Sequence, residues 1–75
     1  MNLKMKKSTT VKTRTKGYVW IGTCYTLDHG WETKVFNCDE NKKILNGQDL
    51  DAKLYINENH AAKGHDEMVE KWKDM

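Results

Sequence analysis

Two β-rich segments separated by a four-residue turn constrain the fold of this chain more than any other feature. The first segment, residues 18–26 (YVWIGTCYT), is almost entirely β-branched or aromatic. Residues 27–30 (LDHG) have the composition of a turn, and residues 31–38 (WETKVFNC) again favour a strand. Because so short a connection joins antiparallel neighbours, the sequence predicts a β-hairpin.

Alternation along the first of these strands gives it two different faces. One face carries Val19, Ile21, Thr23 and Tyr25, and the other carries Tyr18, Trp20, Gly22 and Cys24. Both sets are fairly apolar, which predicts a central strand covered on both sides. The glycine within the strand indicates a bulge or a close approach of another group to the backbone.

A third strand and a helix complete the predicted domain. Residues 50–56 (LDAKLYI) alternate between apolar and polar side chains, and Asn57 is a favourable helix N-cap. Apolar positions then recur at helical spacing, namely Ala61, His65, Met68, Val69 and Trp72. We therefore predict an α+β domain over residues 18–75, a small antiparallel three-stranded sheet packed by one C-terminal helix.

The charge distribution sets the first 17 residues apart. They contain six basic residues and no acidic residue, whereas the rest of the chain is net acidic. They lack an apolar period, so we predict a flexible basic N-terminal arm in which residues 9–15 could extend as an edge strand. Such an arm could solubilise the protein or bind nucleic acid, and the residues that would contact phosphates are Lys4, Lys6, Lys7, Lys12, Arg14 and Lys16.

Several classes of protein are disfavoured. No apolar run approaches the roughly 20 residues of a membrane span, and the charged start is not followed by a signal-type apolar stretch. We expect a cytoplasmic protein without membrane contact. Cys24 and Cys38 are then expected as reduced thiols, although a disulfide stays possible if their strands are neighbours.

Candidate chemistry in the sequence is sparse. Asp28 and His29 stand near Glu32 and could form an acid–base site, but turn composition explains the first two equally well. The two cysteines are too far apart for a zinc-site pair, and His60 and His65, although their spacing is allowed, would be turned roughly 140° apart on a helix. With no nucleophile beside an orienting partner, we expect a protein that is not an enzyme and that uses no metal or cofactor.

The number of aromatic residues, which is large for so small a core, is the most informative feature of the composition. Seven Trp, Tyr and Phe side chains follow residue 17, and a chain of 75 residues forms only a thin core. They could fill that core, or some could contact a partner or a second subunit, since Trp and Tyr are enriched at interfaces. The candidate binding residues are Tyr18, Trp20, Tyr25, Asp28, His29, Trp31 and Tyr55.

A set of segments resembles a group of short hypothetical proteins from phages and prophages of Gram-positive bacteria. These segments are residues 17–23 (GYVWIGT), 25–33 (YTLDHGWET), 35–36 (VF), 49–51 (DLD), 62–65 (AKGH) and 67–72 (EMVEKW). The resemblance implies a small accessory protein of the host cytosol that binds and inhibits, or sequesters, a host defence or regulatory component. The expected partner is a host protein or a signalling nucleotide, and the expected assembly is a homo-oligomer. The alternative is a small nucleic-acid-associated protein that uses the basic arm.

Overall fold

Four strands and one helix make up the part of the protein that the structure describes. The structure is a computed structural model that describes residues 3–75, with side chains from Lys7 onward. In chain order the elements are β1 (Leu3–Lys12), β2 (Tyr18–Thr26), β3 (Gly30–Cys38), β4 (Asp51–Tyr55) and α1 (Glu58–Lys73). The strands lie in the order β1-β2-β3-β4, each antiparallel to the next. The predicted α+β class, the hairpin and the C-terminal helix are confirmed.

Residues Leu3 to Lys12 form the edge strand β1, so the predicted flexible arm is wrong there, whereas the edge strand predicted as possible over residues 9–15 is confirmed over residues 9–12. β1 pairs with β2 from Leu3 opposite Thr26 to Lys12 opposite Tyr18, with a register shift between Met5 and Lys7. The sheet therefore has four strands and not three. An edge strand needs only one row of buried side chains, and lysines are tolerated on its solvent side. The alternation of apolar and polar residues in β1 is therefore too weak to be recognised. Residues 1 and 2 lie outside the described part of the chain.

Glycine and threonine shape the two short turns of the sheet. Gly17 and Gly30 have φ of 78° and 73°, values that other residues rarely adopt. In the β1–β2 turn, the Thr13 hydroxyl donates to the Gly17 carbonyl at 2.7 Å and accepts from the Lys16 N–H at 2.8 Å. These contacts explain why Thr13 is buried although it lies in a turn.

The connection from β3 to β4 runs beside β3 before β4 begins. The Asp39 carboxylate accepts from the N–H groups of Asn41 and Lys43 at 2.8 and 2.9 Å, which closes the first turn. Ile44 then forms an isolated bridge with Cys38, and the Leu50 N–H donates to the Val35 carbonyl at 2.7 Å. The predicted third strand is thus the fourth, and it begins only at Asp51.

The core lies between the sheet and α1. Its buried apolar residues are Val11, Val19, Ile21, Val35, Met68 and Trp72. Asn57 caps the N-terminus of α1, as the sequence predicts, and its side chain accepts from the His60 N–H at 2.9 Å. The predicted stripe is confirmed at Ala61, His65, Met68 and Trp72, all buried, whereas Val69 is half-buried.

The two faces of the sheet differ, and the prediction that both are covered is wrong. α1 packs across all four strands on the face that carries Val19 and Ile21. Within residues 3–75 no helix or strand packs on the opposite face, because the only helix is already used. We call this opposite face the open face. It carries Ser8, Thr10 and Lys12 of β1, the even-numbered residues 18–26 of β2 and 30–38 of β3, and Ala52 and Leu54 of β4.

Candidate binding surface

An aromatic patch lies at the centre of the open face. Trp20 of β2 is directly opposite Phe36 of β3, with ring centroids 6.1 Å apart and ring planes inclined by 39°. Tyr18 is two residues from Trp20 on the same strand and the same face. All three side chains are half-buried. A domain that keeps three rings partly exposed on one face presents a surface typical of interaction sites.

Gly22 determines how Trp20 sits on this patch. A Cβ at Gly22 would come within 2.1–3.0 Å of three atoms of the Trp20 six-membered ring, so the indole covers the glycine. The two residues are two apart on one face of β2, so the indole must lean along the strand to reach Gly22. The predicted close approach at this glycine is confirmed, and no bulge in the β2–β3 pairing is needed to explain it.

Charged residues surround the aromatic patch unevenly. Lys12 and Lys34 belong to the open face, and Arg14 and Lys16 are exposed in the turn that precedes Tyr18. At the same end, the connection after Cys38 adds exposed residues of both signs, Glu40, Lys42 and Lys43. Glu32 is the acidic residue of the face itself, and it pairs with Cys24, six residues from Tyr18 and so roughly 20 Å away.

The two cysteines are free thiols on the open face. Cys24 lies opposite Glu32 and Cys38 opposite Tyr18, so they are at opposite ends of the hairpin and cannot bridge. Burial raises the pKa of both thiols, and the carboxylates of Glu32 and Asp39 raise the pKa of Cys24 and Cys38 respectively. Raised pKa values keep both sulfurs protonated and weakly nucleophilic near neutral pH.

The other predicted aromatic residues lie on the helix side of the sheet. Tyr25 and Trp31 are cross-strand partners with ring centroids 5.4 Å apart, and Tyr55 is the next partner of Trp31. A Cβ at Gly64 would collide with the Tyr55 ring, so this glycine allows α1 to approach β4. The structure therefore separates the predicted binding residues into two clusters on opposite faces.

The remaining predicted residues are distributed around these clusters. Asp28 and His29 are exposed at the tip of the β2–β3 hairpin, where the His29 N–H donates to the Thr26 hydroxyl at 3.1 Å. Lys7 forms a 2.7 Å ion pair with Asp66 of α1, so it serves the sheet–helix contact. The side chains of Lys4 and Lys6 lie outside the described part of the chain.

A shallow groove lies between β4 and α1. It encloses about 160 Å³ and is lined by Asp51, Ala52, Lys53, Tyr55, Gly64, Glu67, Met68 and Lys71. Asp51 accepts from Lys71 at 2.7 Å and from the Trp72 indole at 3.2 Å. Burial alone would raise the pKa of Asp51, but these hydrogen bonds and the Lys71 charge lower it below its ordinary value. Asp51 and Lys71 therefore help to hold the helix to the sheet.

A buried chain of hydrogen bonds joins α1 to three strands. His65 is completely buried; its Nε2 lies 2.9 Å from the Thr9 hydroxyl and its Nδ1 lies 2.7 Å from the Thr23 hydroxyl. Thr23 in turn lies 2.5 Å from the Thr33 hydroxyl. A neutral imidazole has one donor and one acceptor nitrogen, so three threonines and one histidine can satisfy one another without water. This chain is structural, since the ring is inaccessible to any ligand.

We expect the stability of the protein to fall in mild acid because of His65. Burial lowers the pKa of His65, the Lys7 charge lowers it further, and Asp66 offsets part of this change. The unfolded chain binds a proton near the ordinary histidine pKa of about 6.5, whereas the folded protein resists protonation until lower pH. The free energy of unfolding should therefore decrease as the pH falls from about 6.5 towards the lowered pKa.

Urea denaturation followed by circular dichroism at a series of pH values measures this dependence. The His65→Gln variant serves as the control, because an amide can donate and accept hydrogen bonds but does not titrate. Its free energy of unfolding should change less than that of the wild type over the same interval. Equal slopes in the two proteins would exclude His65 as the origin.

A search for metal sites and membrane-spanning helices, and comparisons with known proteins, assign no function to the protein. In the described part of the chain, no three His, Cys, Asp or Glu side chains gather in a way that could hold a metal ion. Among residues 3–75 there is no helix with the length and apolar character that crossing a lipid bilayer requires. Comparisons with protein-family models, with curated proteins and with solved structures give no match.

The binding residues predicted from the sequence lack Phe36, a member of the aromatic patch, and Lys34 beside it. The register of the hairpin contained the signal, since residues whose numbers sum to 56 are partners across β2 and β3. The observed connection has three residues, 27–29, so Thr26 is opposite Gly30, Phe36 is opposite Trp20 and Lys34 is opposite Gly22. The predicted four-residue turn, 27–30, would shift this register by one residue and place Phe36 and Lys34 on the helix side, so only the observed turn assigns them to the open face.

Proposed function

We propose that the protein acts by binding, without catalysing a reaction, and that it uses the open face to inhibit or sequester a component of the host cell. The supporting observation is the aromatic patch of Tyr18, Trp20 and Phe36 on a face that no element of residues 3–75 covers. The resemblance to short phage and prophage proteins gives the setting, which is host defence or regulation. A host protein or a signalling nucleotide is the expected component.

An oligomer is part of this proposal, and a different surface favours it. The exposed large apolar residues are Leu27, Ile44, Leu45, Leu50, Leu54 and Ile56. All but Leu27 belong to β4, to the connection before it or to the residue that follows it. β4 is a short edge strand, and edge strands with apolar neighbours readily pair with a second copy. Association through β4 would leave the aromatic patch available to a partner.

The alternative function, nucleic-acid association through the basic N-terminal residues, keeps part of its support. Lys12, Arg14 and Lys16 are exposed at one end of the sheet. Since Leu3–Lys12 is the strand β1, these charges would act from a fixed position and not from a flexible arm.

Affinity capture from lysate of a host cell tests the proposed function. We expect a component that is retained by the wild type and by Trp31→Leu but is lost with Trp20→Leu. The two variants remove the same ring from opposite faces of the sheet, so Trp31→Leu is a matched control. Leucine at residue 20 keeps apolar bulk over Gly22. A captured component that Trp20→Leu retains would place binding elsewhere on the protein.

A further inference from the structure

We infer that the open face binds single-stranded nucleic acid, with Trp20 and Phe36 stacking on bases and Lys12 and Lys34 contacting phosphates. This inference rests on the proposed function for the use of the open face as a binding surface, and it assigns a nucleic-acid strand to that face in place of a protein or a single nucleotide. Its first support is the position of the rings. Trp20 leans along β2 over Gly22, and Phe36 stands beside it with its centroid 6.1 Å away. Half-exposed rings on a sheet surface are stacking platforms for bases, whatever the base sequence.

The distribution of charge provides the second argument. Lys12 is opposite Tyr18, and Lys34 is opposite Gly22, so two cations flank the aromatic patch on its own face. Arg14 and Lys16 extend this positive charge beyond Tyr18. Glu32 is two residues from Lys34 on the same face, roughly 7 Å along β3, so the positive charge is strongest at the Tyr18 end of the patch, roughly 20 Å from Glu32. Aromatic rings that are bordered by cations match a chain of alternating bases and phosphates.

The shape of the face selects among nucleotide ligands. A small ligand such as one nucleotide is usually held in a concave pocket that buries most of its surface. The concave groove of about 160 Å³ lies between β4 and α1, away from Trp20 and Phe36, which belong to the opposite face of the sheet. A strand can instead gather several weak contacts along a flat surface. In a duplex the base faces are already stacked on one another and cannot reach the rings.

Charge also argues against a second copy of this chain on the aromatic patch. Face-to-face pairing of two copies would bring Lys12, Lys34 and their equivalents into one interface with Glu32 as the acidic residue of the face. Like charges at an interface oppose association. A polyanion neutralises the same lysines and releases counterions, so it is the better complement.

Fluorescence anisotropy with dye-labelled oligo(dT) and oligo(U) of about 12 nucleotides, a length within the usual range of one binding module, tests the inference. The full-length protein should bind both strands at about 50 mM salt and should lose affinity steeply as salt is added. We expect Trp20→Leu to weaken binding about ten-fold, which corresponds to one lost base stack, while Trp31→Leu binds as the wild type does. A duplex of equal length and a mononucleotide should bind much more weakly than the strands.

Lysine variants supply a second readout that does not depend on the indole. Lys34→Ala and Lys12→Ala should each reduce the slope of log affinity against log salt by roughly 0.7, as expected for one phosphate contact to a single strand. Lys63→Ala is the matched control, because Lys63 is an exposed lysine of α1 on the other side of the sheet. If Trp20→Leu fails to fold, as judged by circular dichroism, the lysine slopes alone decide the question.

Four results would overturn the inference. They are no strand binding by the wild type at low salt, equal affinity for duplex, equal loss with Trp31→Leu, and lysine slopes no different from Lys63→Ala. Light scattering adds a fifth, since a dimer that Trp20→Leu converts to a monomer would show that a second copy covers the patch. If strands do not bind but capture of a host protein still depends on Trp20, only this inference fails and the proposed function stands.

Discussion

The Trp72→Ala variant is expected to lose about 3–5 kcal/mol of stability, the largest effect of any single substitution considered. Trp72 is 6 % exposed and packs in the core with Val11, Val19 and Val35. Replacing a buried Trp with Ala costs about 3–5 kcal/mol, through lost burial and the cavity that remains. A domain of this length has a total stability of only about 4–11 kcal/mol, so the loss removes a large share of it. Urea denaturation followed by far-ultraviolet circular dichroism measures the effect.

A second substitution at the same residue separates packing from hydrogen bonding. Trp72→Phe keeps most of the apolar volume but removes the indole N–H that donates to Asp51 at 3.2 Å. We expect it to cost about 1–3 kcal/mol, the usual range for a hydrogen bond to a charged group plus a small packing loss. Lys71 still holds Asp51 at 2.7 Å, which limits the damage. The alanine variant also has a contradicting outcome. If the free energy of unfolding of Trp72→Ala were within about 1 kcal/mol of the wild-type value, a loss as small as that of a minor packing change, then α1 would not depend on this side chain.

The His65→Leu variant is expected to lose about 3 kcal/mol of stability, because it leaves buried hydroxyl groups without partners. Thr9 and Thr23 both contact the imidazole, at 2.9 and 2.7 Å, and both would lose that contact. Leucine has a similar volume, so the cost arises from unsatisfied polar atoms and not from a cavity. The midpoint of urea denaturation should fall without a change in its slope.

A double-mutant cycle tests this explanation directly. Thr23→Val should be destabilising by itself, because the Thr33 hydroxyl then loses its 2.5 Å partner and His65 loses one contact. Replacing both partners by apolar groups of similar shape can be nearly neutral. We therefore expect the His65→Leu/Thr23→Val protein to be more stable than the sum of the two single changes implies. Strict additivity would mean that the two side chains do not act as one unit.

Much of the fold could be predicted from local patterns. The hairpin was recognisable because β2 and β3 are rich in β-branched and aromatic residues on both sides of a turn that ends in Gly30. The helix was recognisable because an N-cap precedes an apolar stripe with helical spacing. Both signals are local, since they depend on residues within one or two turns of the chain.

β1 could not be predicted in the same way. Its threonines and lysines give little apolar alternation, and its described buried contacts, such as Thr9 with His65, depend on a residue 56 positions away. Val11 is buried only because α1 and β2 cover it. An edge strand is defined by its neighbour, and the pairing with β2 is a tertiary property that the first 17 residues do not encode alone.

The candidate site was predicted in part. Tyr18 and Trp20 were correctly assigned to one face of β2, but Tyr25, Trp31 and Tyr55 were grouped with them and lie on the opposite face. Composition counts aromatic residues without regard to the side of the sheet on which they project. Only the strand register, together with the face of the sheet on which α1 packs, separates the aromatic patch from the helix-side cluster.

The sequence alone determined the class of the domain, the hairpin, the helix and its buried stripe, because strand and helix periods are written in neighbouring residues. The tertiary structure decided three other matters: that much of the basic N-terminal segment forms the additional strand β1, that His65 lies in a buried hydrogen-bond chain, and that Trp20 and Phe36 lie on an uncovered face. Each of these depends on contacts between residues far apart in the chain, and one helix can cover only one side of a sheet.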